Sequence, residues 1–442
     1  MVQISKSNES APKDVSYNHH LIRLLYLSYF MATGCIQPFL SIYYHSLGFS
    51  GTIIGLIGSI SPFCSFVVGP FWGRLSDKSE TPFPILYLTS IMSVFGMLLL
   101  YSMNDPQHVM ITVCITALFE APVKPLIDSL VMTQLKDRSQ FGRLRLFSII
   151  GVGFSTSIAG RYLKDVDQNN ELPIYGGKGI MSYLSWFWTS LVGYKLLFFS
   201  YAAIHVPFLF CVRHFQKLHT SKVIDSTKDS QRKTPHKRFK DMAVVIFQNT
   251  QLLLLFTLVF VMGISAGLGE QFVYVRFKEV GGRGSDMGLS RLISSVGGTV
   301  MFWYSGSISR RLGMERVLAL SFFGVSLRLA LLFTMENAYH GYMAEFFRGS
   351  TFGCFWPSST IYASQLSPDE FQGTMLQLLN GAYNGIGRSL GSIIGGKLQA
   401  QFGTAKTFLY GAIANAVFAT LLALHNIYQG KQEKLSKKEK IS

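Results

Sequence analysis

Gly48–Lys78 reads GFSGTIIGLIGSISPFCSFVVGPFWGRLSDK, and Gly281–Arg311 reads GGRGSDMGLSRLISSVGGTVMFWYSGSISRR. The intervals from Gly48 to Gly55 and from Gly55 to Gly73 return unchanged from Gly281 to Gly288 and from Gly288 to Gly306. Leucine follows the second glycine in each copy (Leu56, Leu289). A charged pair begins one helical turn after the third: Asp77-Lys78 in one copy, Arg310-Arg311 in the other. Agreement in glycine, leucine, charge and position makes the chain two homologous halves.

Around each copy the chain is apolar. A helix needs about 20 apolar residues to cross a ~30 Å hydrocarbon core. Such runs are predicted at 21–45, 52–72, 83–103, 109–133, 144–162, 191–212, 250–275, 286–308, 316–335, 340–363, 373–397 and 405–427. The expected fold is therefore an all-α integral membrane protein of twelve transmembrane helices in two six-helix repeats. The expected organisation is a start at 1–20, a first bundle at 21–212, a basic linker at 213–249, a second bundle at 250–428 and a basic tail at 429–442. The first 20 residues are polar and lack the apolar core of a cleavable signal peptide.

Of the 442 residues, 49% are hydrophobic and 14% charged, against roughly 25% charged in soluble domains. The charges are lopsided, 40 Lys+Arg against 24 Asp+Glu, a net +16. Disorder is excluded by the apolar content. Five scattered cysteines (Cys35, Cys64, Cys114, Cys211, Cys354) exclude a disulfide scaffold, and no CxxC or Cys/His spacing offers a metal site. A nucleic-acid binder would concentrate its base on one water-soluble domain. With the amino terminus inside and the spans alternating, 25 of the 40 basic residues fall on the inner side and 7 on the outer. That is the positive-inside pattern, and it predicts that both termini are cytosolic.

Several motifs carry a family resemblance. They are Gly73-Arg-Leu-Ser-Asp77-Lys78, Gln37-Pro38-Phe39, Pro122-Val-Lys-Pro125-Leu126-Ile-Asp128, and Phe141-Gly142-Arg143-Leu144-Arg145-Leu146. Phe352-Gly353-Cys-Phe-Trp356, Thr374-Met-Leu-Gln377 and Gly387-Arg388-Ser-Leu-Gly391 continue the set. Over nearly the whole chain this resembles the major facilitator superfamily, in the branch that holds lactose permease, a bacterial nucleoside permease and animal orphan transporters. The first motif lacks its later basic residues, and its second copy has Arg310 where an aspartate would stand. The resemblance implies transport by rocking of two halves, with Gly73, Asp77, Lys78, Gly306, Arg310 and Arg311 latching the cytosolic side.

Charges left inside the membrane face protein or water and usually have partners. Glu120, Lys124 and Asp128 recur every four residues on one helix stripe. Either they form an ion-pair ladder, or Glu120 serves as a proton or substrate carboxylate. Asp128 near the cytosolic end faces Arg143 and Arg145 at the start of span 5, which predicts a gating strut. Arg328, Glu345, Arg348 and Arg388 can meet across a central cavity, while Glu270 is expected to face the outer vestibule. Glu345 is either locked to Arg348 one turn on or free to take up a proton. Glu345 with Arg328 resembles the proton-handling half of the lactose-permease group, although no histidine accompanies them: His340 lies at the outer end of span 10. Lys195 and His205 read as bundle residues. Trp303 and Trp356 are candidate cavity aromatics or plain packing residues. Glycines at 381–396 suit close helix packing, and Pro38, Pro122, Pro125 and Pro357 give bendable points. Loop 163–190 could hold an interfacial helix, and the lysines at 438 and 440 resemble a retrieval signal.

No P-loop is present to bind a nucleotide, and no nucleophile or metal motif points to an enzyme. The expectation is a secondary transporter, working as a monomer without cofactor or nucleic acid. It would move a small polar solute of saccharide or nucleoside type, with a proton as partner, in a lipid bilayer. The alternative class is a transporter-like receptor or scaffold without transport.

Overall fold

The computed structural model describes residues 19–78, 82–134, 141–163, 193–223, 246, 248–367 and 372–439. Loop 164–192, most of the basic linker (224–245) and the last three residues lie outside the described residues, and with them the expected interfacial helix and retrieval signal.

Fifteen α-helices make up twelve rods among the described residues. The first rod is α1 (His19–Ile36), broken by a tight turn at Gln37–Phe39 and resumed as α2 (Leu40–Ser46). Pro38 causes the break, since it cannot donate the helical hydrogen bond. Then follow α3 (Gly51–Lys78), α4 (Phe83–Tyr101), and a fourth rod of α5 (Pro106–Glu120) and α6 (Val123–Gln134) interrupted at Pro122. The first half ends with α7 (Phe141–Tyr162) and α8 (Tyr194–Val223). The second half has α9 (Thr250–Glu279), α10 (Gly284–Leu312), α11 (Met314–Phe333) and α12 (Ala338–Leu366). Its eleventh rod is α13 (Gln372–Asn380), a wide π-helical turn at Gly381–Gly387, and α14 (Arg388–Phe402). Helix α15 (Thr404–Glu439) closes the chain. Side-chain caps set several starts: Asp105 accepts from the Gln107 and His108 amides, Asn249 from Gln251 and Leu252, and Asn337 from Tyr339 and His340.

Two boundaries differ from the sequence expectation. Residues 213–223, assigned to the linker, continue α8 as helix, because Phe215 stays buried with Val212 and Phe208 in the first-half core. Residues 429–439, assigned to the tail, extend α15.

Eight rods are long and apolar enough to cross a membrane by composition. The other four are α7, α10, α12 and the α13–α14 rod. They carry the small and charged residues that helices need where they face protein rather than lipid. In the first half α1 packs on α7 and α8, α5 on α3 and α4, and α4 on α8. In the second half α9 packs on α14 and α15, α12 on α10 and α11, and α11 on α15. The second half thus repeats the pairing of the first, rod for rod. The halves meet through α7 on α10 and α3 on α14.

The repeated glycines now have physical roles. Gly48 and Gly281 take φ of 80° and 76°, a conformation open to glycine at little cost, and turn the chain between rods. Gly55 and Gly288 sit where the halves touch. A Cβ at Gly55 would lie 2.5 Å from the Ser392 carbonyl oxygen, and one at Gly288 would lie 2.7 Å from the Ser157 Cα. Gly160 and Gly284 abut in the same way. Ser392 and Ser389 donate to the Gly55 and Ser59 carbonyls at 3.0 and 3.1 Å, and Gln271 donates to the Ile54 carbonyl at 3.1 Å. Phe39 stacks on Tyr274 across the same seam at 5.8 Å. The opposite end differs. Among the described residues a Cβ at Gly69 or Gly73 would meet no atom within 4 Å, and one at Gly306 would meet Arg310 of its own helix alone, at 3.7 Å. Among the described residues the two halves are sealed at one end and parted at the other.

Candidate functional site

A chain of ion pairs lies at the centre of the second half. Glu345 of α12 receives Arg328 of α11 at 2.8 Å and Arg348, one turn on, at 2.8 Å. Arg348 also reaches Glu270 of α9 at 2.9 Å and the Ser294 hydroxyl of α10 at 3.0 Å. Arg388, at the start of α14, pairs with the other oxygen of Glu270 and touches Asn384 at 3.4 Å. Four helices are thus joined through two carboxylates, and Ser294 ties in α10 as a fifth. Gly269 makes room for this, with its face against the Arg328 guanidinium.

Burial grades the network. Arg328 and Glu345 are 3% and 1% exposed, Arg348 and Glu270 are 17% and 26%, and Arg388 is 35%. Access therefore rises from α11 toward α14. A cavity of about 30 Å³, room for one or two waters, lies against Glu270, Arg348, Ser265, Thr351 and Tyr383. The π turn at Gly381–Gly387 carries Tyr383 into this cavity wall, where its ring lies 5.4 Å from Trp356, itself stacked on Phe352. Such wide turns are often found at functional sites. A larger open pocket of about 470 Å³ lies against Thr360, Ser364 and Leu376, toward the parted end of α12 and α13.

The first half holds a smaller polar centre. Glu120, at the end of α5, accepts from the Gln37 amide at 2.5 Å, beside the buried hydroxyls of Tyr29 and Tyr201. Asp128 accepts from the Tyr26 hydroxyl at 2.8 Å and pairs with Arg145 at 3.0 Å. The break at Pro122 separates Glu120 from Lys124 and Asp128. Among the described residues neither carboxylate makes an ion pair with Lys124, so the stripe is not a closed ladder.

Other expected residues fall elsewhere. Glu270 joins the central network rather than an outer vestibule, because Arg348 and Arg388 converge on it. Trp303 is 64% exposed and has no ring contact among the described residues, so the two tryptophans do not share a cavity wall. His205 is buried, its Nδ1 2.9 Å from the Tyr201 carbonyl oxygen and its ring against Tyr201. Arg310 donates to Ser307 at 3.3 Å, and Arg311 is exposed at the same parted end. The side chains of Asp77, Lys78 and Arg143 lie outside the described residues.

Sequence reasoning missed Arg291 of α10, which lies in the electrostatic field of Arg348, Glu270 and Glu345. Its signal was present, an arginine just inside a predicted span. Gln37 and Tyr383 were missed too, because neutral side chains leave no charge anomaly in an apolar run.

Comparison with known proteins agrees with this architecture. Residues 19–410 match the MFS_1 like family. The uncharacterized transporter YwbF of Bacillus subtilis (strain 168) is 24% identical over 423 residues, 94% of this chain and 96% of that protein. A maltose permease of Geobacillus stearothermophilus is 21% identical over 420 residues, with the same coverage. Among solved structures, a variant of the nucleoside transporter NupG superposes with a TM-score of 0.74 at 15% identity, covering 92% of this chain and 99% of that one. A bacterial homolog of the human lysosomal transporter Spinster, inward-facing and occupied, gives 0.65 at 13% identity over 94% and 97%. The chain belongs to the MFS_1 like family and is a multi-pass membrane transporter rather than an enzyme.

Proposed function

We propose that this transporter moves a small polar solute, of saccharide or nucleoside type, by alternating access coupled to a proton. The excess of base on one side of the membrane supports cytosolic termini, with a basic linker against anionic lipid joining two six-helix bundles. In that orientation the parted end opens to the cytosol. The halves would rock about the polar centre, sealing in turn through the glycine seams and through Gly73, Asp77, Lys78, Gly306, Arg310 and Arg311. The Asp128–Arg145 contact, with Arg143 nearby in sequence, would brace the cytosolic ends of the first half. A working monomer suffices, since each half supplies its own polar centre.

One observation carries the reading: Glu270 ties α12 to α14 through two arginines at the edge of the accessible cavity. Arg348 and Arg388 hold Glu270 as a carboxylate in this state, so a proton would reach it as one arginine withdraws, which would link protonation to movement of α14. Glu345 is sealed between Arg328 and Arg348, so it suits a structural role better than proton exchange. Glu120, held by neutral Gln37, is the second proton candidate. The maltose and nucleoside names among the relatives support the solute class.

The test is uptake by the purified protein in liposomes. Glu270→Gln and Glu120→Gln should lose accumulation driven by a pH gradient while keeping exchange of labelled for unlabelled solute. Gradient-driven uptake equal to the parent in both variants would overturn the proton roles.

A further inference from the structure

The central network is out of charge balance. Glu270 and Glu345 pair with the guanidinium groups of Arg328, Arg348 and Arg388, and a fourth guanidinium, that of Arg291, lies within their electrostatic reach. Nearby acids are committed elsewhere. Asp286 accepts from the Tyr342 hydroxyl at 2.7 Å and the Arg283 amide at 2.8 Å, and Glu279 accepts from Arg276 and Thr404. Arg291 has no ion pair among the described residues, and its Nε is buried without a hydrogen-bond partner. Arg328 has a second such orphan, also at Nε. A cation left inside a membrane span faces protein or water and usually takes a partner, so the excess of guanidinium over carboxylate here calls for an anion.

We infer that the transported solute carries an oxyanion, a carboxylate or a phosphate, that docks on Arg291. The planar fork of a guanidinium suits a two-oxygen group and binds it with charge-assisted hydrogen bonds. Arg388, a third exposed and held on one side by Glu270, is the second cation open to the solute. This deepens the transport reading above and rests on it. The polar body of the solute would lie toward Tyr383 and Trp356, and its anionic group toward α10.

Matched solutes test it on the full-length protein in lipid nanodiscs, read by thermal unfolding. The panel is galactose, galacturonate and galactose phosphate, with uridine and uridine monophosphate. A bound solute raises the unfolding temperature as its concentration passes the dissociation constant. The anionic members should raise it and the neutral members should not, and the carboxylate and phosphate arms separate the two oxyanions. Arg291→Gln should abolish the shift and Arg291→Lys should keep part of it, which guards against a variant that merely folds poorly. A neutral solute that stabilises as much as its anionic partner would overturn the inference and leave polar-solute transport standing. An anion-induced shift that survives Arg291→Gln would overturn the role of Arg291. Silence from every member would count against both readings.

Discussion

Glu345 and Arg328 meet at 2.8 Å across α12 and α11, with 1% and 3% of their side chains exposed. Arg348 holds the other carboxylate oxygen. A pair this deep has given up its hydration, so removing one partner strands the other. Breaking a buried pair costs about 3–5 kcal/mol, whereas replacing both members with apolar residues is often neutral. Arg328→Gln should therefore lower the unfolding temperature in detergent strongly. Arg328→Met combined with Glu345→Leu should recover much of that loss. A double variant that falls by the sum of the two singles would show that the pair contributes nothing as a pair.

At the far end of the first half, Asp128 has two partners of unequal worth. The Tyr26 hydroxyl reaches it at 2.8 Å from a buried ring, while Arg145 is half exposed at 3.0 Å. A hydrogen bond to a charged group contributes about 1.5–3 kcal/mol, and an exposed ion pair about 0–1 kcal/mol. Tyr26→Phe should thus cost more stability than Arg145→Gln, although only the second removes a charge. If Arg145 serves as a strut of the cytosolic closure, its loss should show in the uptake rate rather than in unfolding. Equal stability losses in the two variants would refute this ranking.

The fold was legible because the membrane demands length and sidedness, and both are written in composition. Span number, the halves and their glycine repeat needed no tertiary information. The site was less legible. Charges inside spans stood out, and Glu270, Arg328, Glu345, Arg348 and Arg388 do converge. Sequence gives neither depth nor facing, so its reading puts Glu270 in the outer vestibule, whereas Arg348 and Arg388 hold it in the central network. Arg291 was passed over because nothing local separates it from an arginine that reaches the membrane surface. The π turn at Gly381–Gly387 was hidden because its composition is that of any glycine-rich packing stretch. Pro122 reads as a bendable point, and the break it makes also separates Glu120 from Lys124 and Asp128, which a four-residue spacing places on one stripe only if the helix is continuous.

The sealed seam gives a third prediction. A side chain at Gly55 would strike the Ser392 carbonyl oxygen at 2.5 Å and the Gly396 Cα at 2.8 Å, both backbone atoms that cannot step aside. Gly55→Leu should therefore destabilise the state described here and favour one in which this end is open. Each 1.4 kcal/mol of bias changes the ratio of states about tenfold. Spin labels on the ends of α3 and α14 near Gly51 and Gln399 should then report longer distances, and uptake should fall. Unchanged distances would mean that the two halves do not part along this seam.

The parted end gives the reverse. Gly73 holds the third place in the glycine repeat, yet among the described residues a Cβ there would meet nothing within 4 Å. Gly73→Leu should leave the state described here intact, with an unfolding temperature close to that of the parent. If rocking brings α3 against the second half at this end, the added side chain obstructs that closure alone. The variant should then hold labels at the Gly51 and Gln399 ends at their short distance, even with solute present, and lose uptake as Gly55→Leu does. Two glycines on the same helix, Gly55 and Gly73, would thus trap opposite states. A Gly73→Leu protein that transports at the parent rate would show that the third glycine does not approach the second half in any state on the transport cycle.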